Sequence, residues 1–333
     1  MFQVHGADGA GRLVIRKRLR RGQVLEFFGR QPRCVVALEA CAGAHFWGRE
    51  MGKLGHEVKL IPPAHVKPFL KRQKNDVAEA EAEAEAEAIC EAAQRPNMRF
   101  VAVRSEATPG AASVFRVREL LIRQRTQAIN ALRGHLAEFG EVVPQGAPNV
   151  RRLIAPVEAP GSGLPEPARA TLQVLIAVLK QLEEQLSVFD AEISRRAREN
   201  EAARRLMTIP GIGPLIATAL ATLAPPPEML RRGRDFAAWL GLTPRQRSTG
   251  GKQRLGATTK MGERSRRRLL IIGANSVVQW RARKGAIAGT WLAGLLAREP
   301  PMLVRVALAN KTARIVWALM AKGEVYRAPV AAA

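Results

Sequence analysis

The sequence predicts an α/β region at the N-terminal end followed by a mainly helical remainder. Three observations carry this reading. The first sixty residues alternate in strand fashion around a helical stretch, a heptad of large apolar residues recurs between Leu172 and Ile193, and a glycine-punctuated basic block runs from Arg231 to Leu270.

Phe2 to His5 and Leu13 to Arg18 flank the turn sequence GADGAG and predict a hairpin. The apolar run Cys34 to Leu38 predicts a buried strand that ends in Glu39. Residues 40–56 have helical spacing, and a short strand, Glu57 to Ile61, follows before Pro62 and Pro63. This is a strand, helix, strand unit with an acid at the carboxyl end of a strand, where α/β proteins place functional groups. Residues 76–88, DVAEAEAEAEAEA, predict a helix because Ala and Glu are both good helix formers; taken alone, it reads as a solvated acidic helix.

From Ala112 to Glu138 the spacing predicts a long amphipathic helix carrying Arg116, Arg118, Arg123, Arg125 and Arg133 and stopped by Gly140. Proline and glycine between Pro144 and Pro167 mark a linker. Leu172, Leu175, Leu179, Leu182, Leu186, Phe189 and Ile193 then recur at alternating spacings of three and four, the seam of a coiled coil. Pairing within the chain and pairing across a dimer both satisfy this seam, and the dimer is the favoured expectation. Residues 205–220, RLMTIPGIGPLIATAL, predict a helix-hairpin-helix whose turn offers backbone N–H groups of Gly211 and Gly213 to a phosphate; the alternative is a tight helical turn needing glycine for positive φ.

The 333 residues carry a formal net charge of +24, and +17 of it falls in residues 151–333. The block from Arg231 to Leu270 holds twelve Lys or Arg against Asp235 and Glu263. A surplus so concentrated suits a polyanion, and 47% hydrophobic content indicates a chain that forms cores. Double-stranded DNA is the expected partner, because aromatic residues make up only 5% of the chain and argue against single-strand stacking platforms. Three cysteines without metal-ligand spacing predict no zinc site, and no leader or spanning segment is read, so a cytoplasmic protein is expected.

Several separated blocks, among them LEACAGAHFWGRE (38–50), HEVKLIPPAHVKPFLKRQKND (56–76), IPGIGPLIATAL (209–220) and DFAAWLGLTPRQRSTGGKQRLGATTKMGERSRRRLL (235–270), resemble the transposases of the insertion sequence 110 family, subgroup 1111, the DEDD transposases related to Piv DNA invertases. The resemblance implies an RNase H-like, RuvC-like domain at 1–110, a long helix, linker and coiled coil at 111–204, and a basic DNA-binding serine domain at 205–333. It implies Mg²⁺ held by an Asp, Glu, Asp, Asp tetrad, since hard cations take oxygen ligands. Glu39 matches the glutamate and Asp76 the third position. The first aspartate has no counterpart, Asp8 being in the hairpin turn, and the chain is therefore read as N-terminally truncated and its activity as impaired. The fourth position falls on Glu79, or equally on Glu85.

The serine nucleophile implied by the family matches Ser248, with Thr249 as the alternative. Arg247, Lys252 and Arg254 stand beside it, and Arg245 and Lys260 extend the same DNA-binding block. The family also implies a structured guide RNA and a dimer or tetramer. Two other readings stay open: a catalytically inactive DNA-binding remnant, and a Piv-type invertase. None of the five histidines is given a catalytic role.

Overall fold

The computed structural model describes residues 1–70, 78–285 and 290–328, which divide into two compact units, Met1–Gly110 and Ala111–Ala333. It is mixed α/β but mostly helical, with small two-stranded sheets.

In the first unit, strands β1 (Phe2–Ala7) and β2 (Leu13–Leu19) form the antiparallel hairpin expected from their alternation. Asp8 closes its turn. One carboxylate oxygen accepts the backbone N–H groups of Ala10 and Arg12 at 2.9 Å, and the other accepts the Arg12 guanidinium. These bonds, the Arg12 amide foremost, hold the Asp8 carboxyl below the ordinary carboxylate range, so this acid is already engaged by the turn.

Helix α1 (Val24–Gly29) leads to β3 (Val35–Glu39), helix α2 (Ala44–Lys53) and β4 (Glu57–Ile61). β3 and β4 are parallel and in register from Val35 opposite Glu57 to Glu39 opposite Ile61. Parallel neighbours require a crossover, and α2 supplies it. Leu19, Val24, Val36, Trp47 and Met51 form the buried core beneath, with Phe2 edge-on to Trp47 at 5.0 Å. His56 is buried and structural. The Cys34 amide must donate to its Nδ1 at 3.3 Å, so Nε2 carries the proton and donates to the Phe28 carbonyl at 3.0 Å, tying α1, β3 and β4 together.

A short helix α3 (Pro63–Val66) precedes α4 (Ala78–Ala93). The latter is not the solvated acidic helix that its composition alone suggests. Its later alanines, Ala88, Ala92 and Ala93, are buried against Ile61 and Val66, and Glu83 pairs with Arg16 of β2. Small side chains let the helix approach the strands closely, and the interleaved glutamates remain at its margins.

The second unit contains most of α5 (Ala107–Ala137). Gly140 ends it at φ 80°, with its own N–H bonded to the Ala137 carbonyl and the Glu141 N–H to the Leu136 carbonyl, a Schellman closure. Within the predicted linker a short helix, α6 (Val150–Glu158), forms. The heptad segment is one 34-residue helix, α7 (Glu166–Glu199). The first half of its seam is covered from within the chain. Leu172, Ile176 and Leu179 are buried with Leu132 and Leu136 of α5 and Leu153 and Val157 of α6, while Arg118 of α5 reaches Asp190 of α7 at 2.7 Å.

Beyond Asn200, whose side chain caps α8 (Glu201–Leu206) by accepting the Ala203 N–H at 2.9 Å, come α9 (Pro214–Leu223) and α10 (Gly233–Trp239). Strands β5 (Pro244–Gln246) and β6 (Leu255–Thr258) form an antiparallel pair, and α11 (Arg264–Lys284), α12 (Trp291–Arg298) and α13 (Pro301–Lys322) complete the chain's described helices. The largest core joins α8 to α11 and α13 through Leu206, Ile212, Ile216, Leu220, Phe236, Leu270, Ala274 and Val316. Complete burial of a side chain such as Phe236 contributes on the order of 2–3 kcal/mol. Among the described residues, no helix is long and apolar enough to cross a membrane.

Two features of this packing are open to measurement. Gly211 sits at φ 84°, and a Cβ there would stand 2.5 Å from the Gly273 carbonyl oxygen of α11; a Cβ on Gly273 would stand 2.2 Å from the Gly211 oxygen. Gly211→Ala or Gly273→Ala is expected to lower unfolding stability by roughly 2–4 kcal/mol in urea titrations. Gly213→Ala, whose Cβ meets nothing, should cost about 1 kcal/mol or less. Separately, Arg195 and Arg196 hold Glu192 of α7 down at about 2 through paired hydrogen bonds. A depressed carboxylate stabilises the fold above its ordinary value and loses that contribution as pH falls toward the depressed one. Helical circular dichroism of the wild type should therefore decline between about pH 5 and about pH 2 more steeply than that of Glu192→Gln.

Candidate nucleic-acid interface

The basic block folds into an exposed hairpin. Thr249, Gly250, Gly251 and Lys252 form its turn, with the Lys252 N–H bonded to the Thr249 carbonyl at 3.1 Å and with φ values of 55° and 76° at the two glycines. Positive φ at both central positions is the type I′ geometry that matches strand twist, and the glycine pair supplies it at little steric cost. The Arg247 N–H bonds the Arg254 carbonyl at 2.7 Å and closes the loop.

Ser248 lies on this loop, exposed, and its hydroxyl oxygen accepts the Arg254 backbone N–H at 3.0 Å. That bond holds Oγ in place, and the hydroxyl proton is not committed by it. Arg245, Arg247, Lys252, Arg254 and Lys260 are all exposed. Both acids of the surrounding block are engaged elsewhere, Asp235 with Arg232 at 3.6 Å and Glu263 with Arg266 at 3.1 Å. Among the described residues no acid pairs with the hairpin's cations, so their charge is available to an anion outside the chain. The Arg247 side chain lies across the opposing strand at Gly256, its Nε 3.5 Å from where a Cβ would be, an ordinary contact distance.

The hairpin's base is closely packed. Gly241 and Gly262 bring two backbone segments together so tightly that a Cβ on Gly262 would stand 2.0 Å from the Trp239 carbonyl oxygen. Lys260, between them, is held at φ 54°, a left-handed conformation that a lysine adopts at a cost of about 1 kcal/mol or more. Not every cation of the block faces outward. Arg266 is buried, stacks on Trp239 at 5.4 Å and pairs with Glu263, and Arg267 donates to the Leu240 carbonyl at 3.1 Å. Sequence alone does not separate these structural arginines from the exposed ones; the Glu263 to Arg266 spacing, which caps α11 through the Arg266 N–H, is the available signal.

The helix-hairpin-helix turn is formed by α8, residues 207–213 and α9. Gly211 has the positive φ that the tight-turn alternative calls for, 84°, and in addition packs on Gly273, whereas Gly213 caps the start of α9 and a Cβ there would meet nothing. The turn is also crossed by the chain's C-terminal stretch, since the Tyr326 N–H bonds the Thr208 hydroxyl at 2.9 Å and Arg205 bonds the Gly323 carbonyl at 2.9 Å.

In the first unit, Glu39 lies half-buried at the carboxyl end of β3, where the Ala40 N–H bonds the Ile61 carbonyl at 2.8 Å. Asp76 and the side chain of Glu79 lie outside the described residues, while Glu85 on α4 is exposed. Among the described residues no group of three or more His, Cys, Asp or Glu is arranged to hold a metal ion. Among the described residues Glu39 offers one carboxylate, and a divalent cation needs further oxygen donors.

Residues 203–287, from α8 through the serine hairpin and α11, match the family described as transposase IS116/IS110/IS902. A Sinorhizobium fredii protein named as transposase y4pF/y4sB is 44% identical over 98% of this chain and 83% of its own length. The chain belongs to the IS116/IS110/IS902 transposase family. A Pseudomonas aeruginosa protein named as a family 20 transposase is 45% identical over 98% of this chain and 96% of that protein, and the transposase for insertion sequence element IS1111A of Coxiella burnetii is 33% identical over 98% and 88%. These near end-to-end matches lend no support to the expectation of a truncated N-terminus. The family's members are enzymes acting on DNA, and the exposed cationic hairpin lies inside the matched stretch.

Lys260 generates a prediction that separates strain from binding. Lys260→Gly should raise stability by about 1 kcal/mol in urea titrations, because glycine accepts positive φ, while weakening duplex DNA binding; Lys260→Gln should weaken binding without the stability gain. Unchanged DNA affinity in both variants would remove Lys260 from the interface.

Proposed function

We propose that this transposase is a site-specific DNA recombinase of an insertion sequence in which Ser248 is the nucleophile. The observation that carries the reading is the placement of an exposed hydroxyl on a type I′ hairpin, among Arg247, Lys252 and Arg254, with no acid competing for those cations among the described residues. In the proposed step the Ser248 Oγ bonds to a DNA phosphorus, the bond from phosphorus to a sugar oxygen breaks, and the serine proton ends on the released sugar hydroxyl. The phosphodiester is exchanged for a phosphoserine ester, which a second sugar hydroxyl reverses on the new strand. The three cations stabilise the extra negative charge of the five-coordinate phosphorus. Arg245, Lys260 and the amide of Gly213 are proposed contacts to flanking phosphates.

The N-terminal unit is proposed to be RNase H-like, and its carboxylates Glu39, Asp76 and Glu79 to be ligands for Mg²⁺, which would supply Lewis-acid stabilisation of phosphate charge. What supports this is the position of Glu39 at the carboxyl end of a parallel strand, next to a crossover helix. A guide RNA and a dimer or tetramer complete the proposal and rest on family resemblance alone.

Ser248→Ala is expected to reduce strand exchange by at least about a thousandfold in a plasmid recombination assay, with duplex binding retained. Wild-type levels of exchange by that variant would sink the assignment, whereas a wild-type protein that binds DNA and never exchanges strands would identify an inactive DNA-binding remnant. Inversion between sites in one molecule, without exchange between molecules, would favour a Piv-type invertase. Arg247→Gln, Lys252→Gln and Arg254→Gln should each lower the slope of log affinity against log salt by about 1.

A further inference from the structure

The geometry points to a second nucleic-acid site in the C-terminal unit: Trp280 and Trp291 form a stacking platform for unpaired nucleotides of a DNA strand. The chain has five tryptophans. Trp47 is buried, Trp239 and Trp317 are half-buried, and Trp317 donates its indole N–H to the Pro227 carbonyl at 3.4 Å. Trp280 and Trp291 differ: they are 50% and 42% exposed. Indole is the largest apolar ring a protein has, and leaving two of them in water is a cost that folding does not require.

Each exposed ring also carries a cation. Arg281 lies 4.6 Å from the Trp280 ring centre and Lys284 6.0 Å, and Lys311 of α13 lies 4.3 Å from that of Trp291 on α12. The helices that carry the rings are not loose segments, because Val278, Leu295 and Val304 join α11, α12 and α13 in one buried cluster. From Arg264 to Gly323 the sequence has a single acid, Glu299, so the helices that carry the rings are strongly basic. Flat aromatic faces beside phosphate-neutralising charges are what single-stranded recognition requires, and a base within a duplex cannot offer its face to them. By helix rise, Trp280 lies roughly 24 Å along α11 from the end that meets the serine hairpin, so the platform is separate from the hairpin. Strand exchange by a transposase exposes unpaired bases, which gives such a platform a use. Its role does not depend on Ser248 being the nucleophile.

The test is fluorescence anisotropy of a labelled twenty-nucleotide oligodeoxythymidine and of a labelled duplex of equal length, titrated with the full chain at fixed salt. Trp280→Ala and Trp291→Ala should each weaken single-strand binding about tenfold or more, leave duplex binding within about twofold, and be substantially rescued by Trp280→Phe and Trp291→Phe. Wild-type tryptophan fluorescence should be quenched by the single strand more than by the duplex, a reading that needs no variant to fold. Equal losses on both DNAs, no loss at all, or no differential quenching would overturn the proposal. So would a platform-dependent preference for the matching oligouridine RNA, which would assign the rings to RNA instead.

Discussion

Close backbone approach through glycine is the constraint on which the C-terminal unit depends. At Gly211 and Gly273, a turn and the middle of a helix meet with no side chain between them, and at Gly241 and Gly262 two loop segments do the same. A methyl group at either contact would have to push backbone against backbone, which a close-packed interior does not absorb cheaply. The first contact seats α11 in the main core beside α9. The second fixes the base from which the basic hairpin projects.

From that seating, charge is sorted. Arg266 and Arg267 are spent on Trp239, Glu263 and carbonyl oxygens, which fastens the start of α11. The hairpin's cations are left facing water with no acid to neutralise them among the described residues, and the two tryptophans farther along the helices keep their own cations beside them. One helix thus links a surface suited to phosphates with a surface suited to base faces. Both suit an enzyme that acts on DNA.

The N-terminal unit was legible to a large extent because its signals are local. Period-two alternation gave the hairpin and an apolar run gave β3; in the second unit, likewise, glycine at the end of α5 gave its stop. The site was legible in part. A hydroxyl beside two glycines among cations is visible in the sequence, and the glycine pair adopts the φ values that a tight hairpin needs. The exposed tryptophans were not legible, because low aromatic content describes an average and exposure depends on where helices pack. Likewise the alanine–glutamate repeat read as solvated because its composition says nothing of the strands that Ala88 and Ala92 meet.

By itself the sequence determined the strands and helices of the N-terminal unit, the long helices that follow, the concentration of positive charge and, through its separated blocks, the family. These follow from propensities and spacings that act over a few residues. Tertiary structure alone decided that the first half of the α7 seam packs on α5 and α6 of the same chain, that Gly211 packs on Gly273, and which arginines are buried. Those outcomes depend on which distant surfaces meet, and a heptad, a glycine or an arginine carries the same local preference whichever partner it finds.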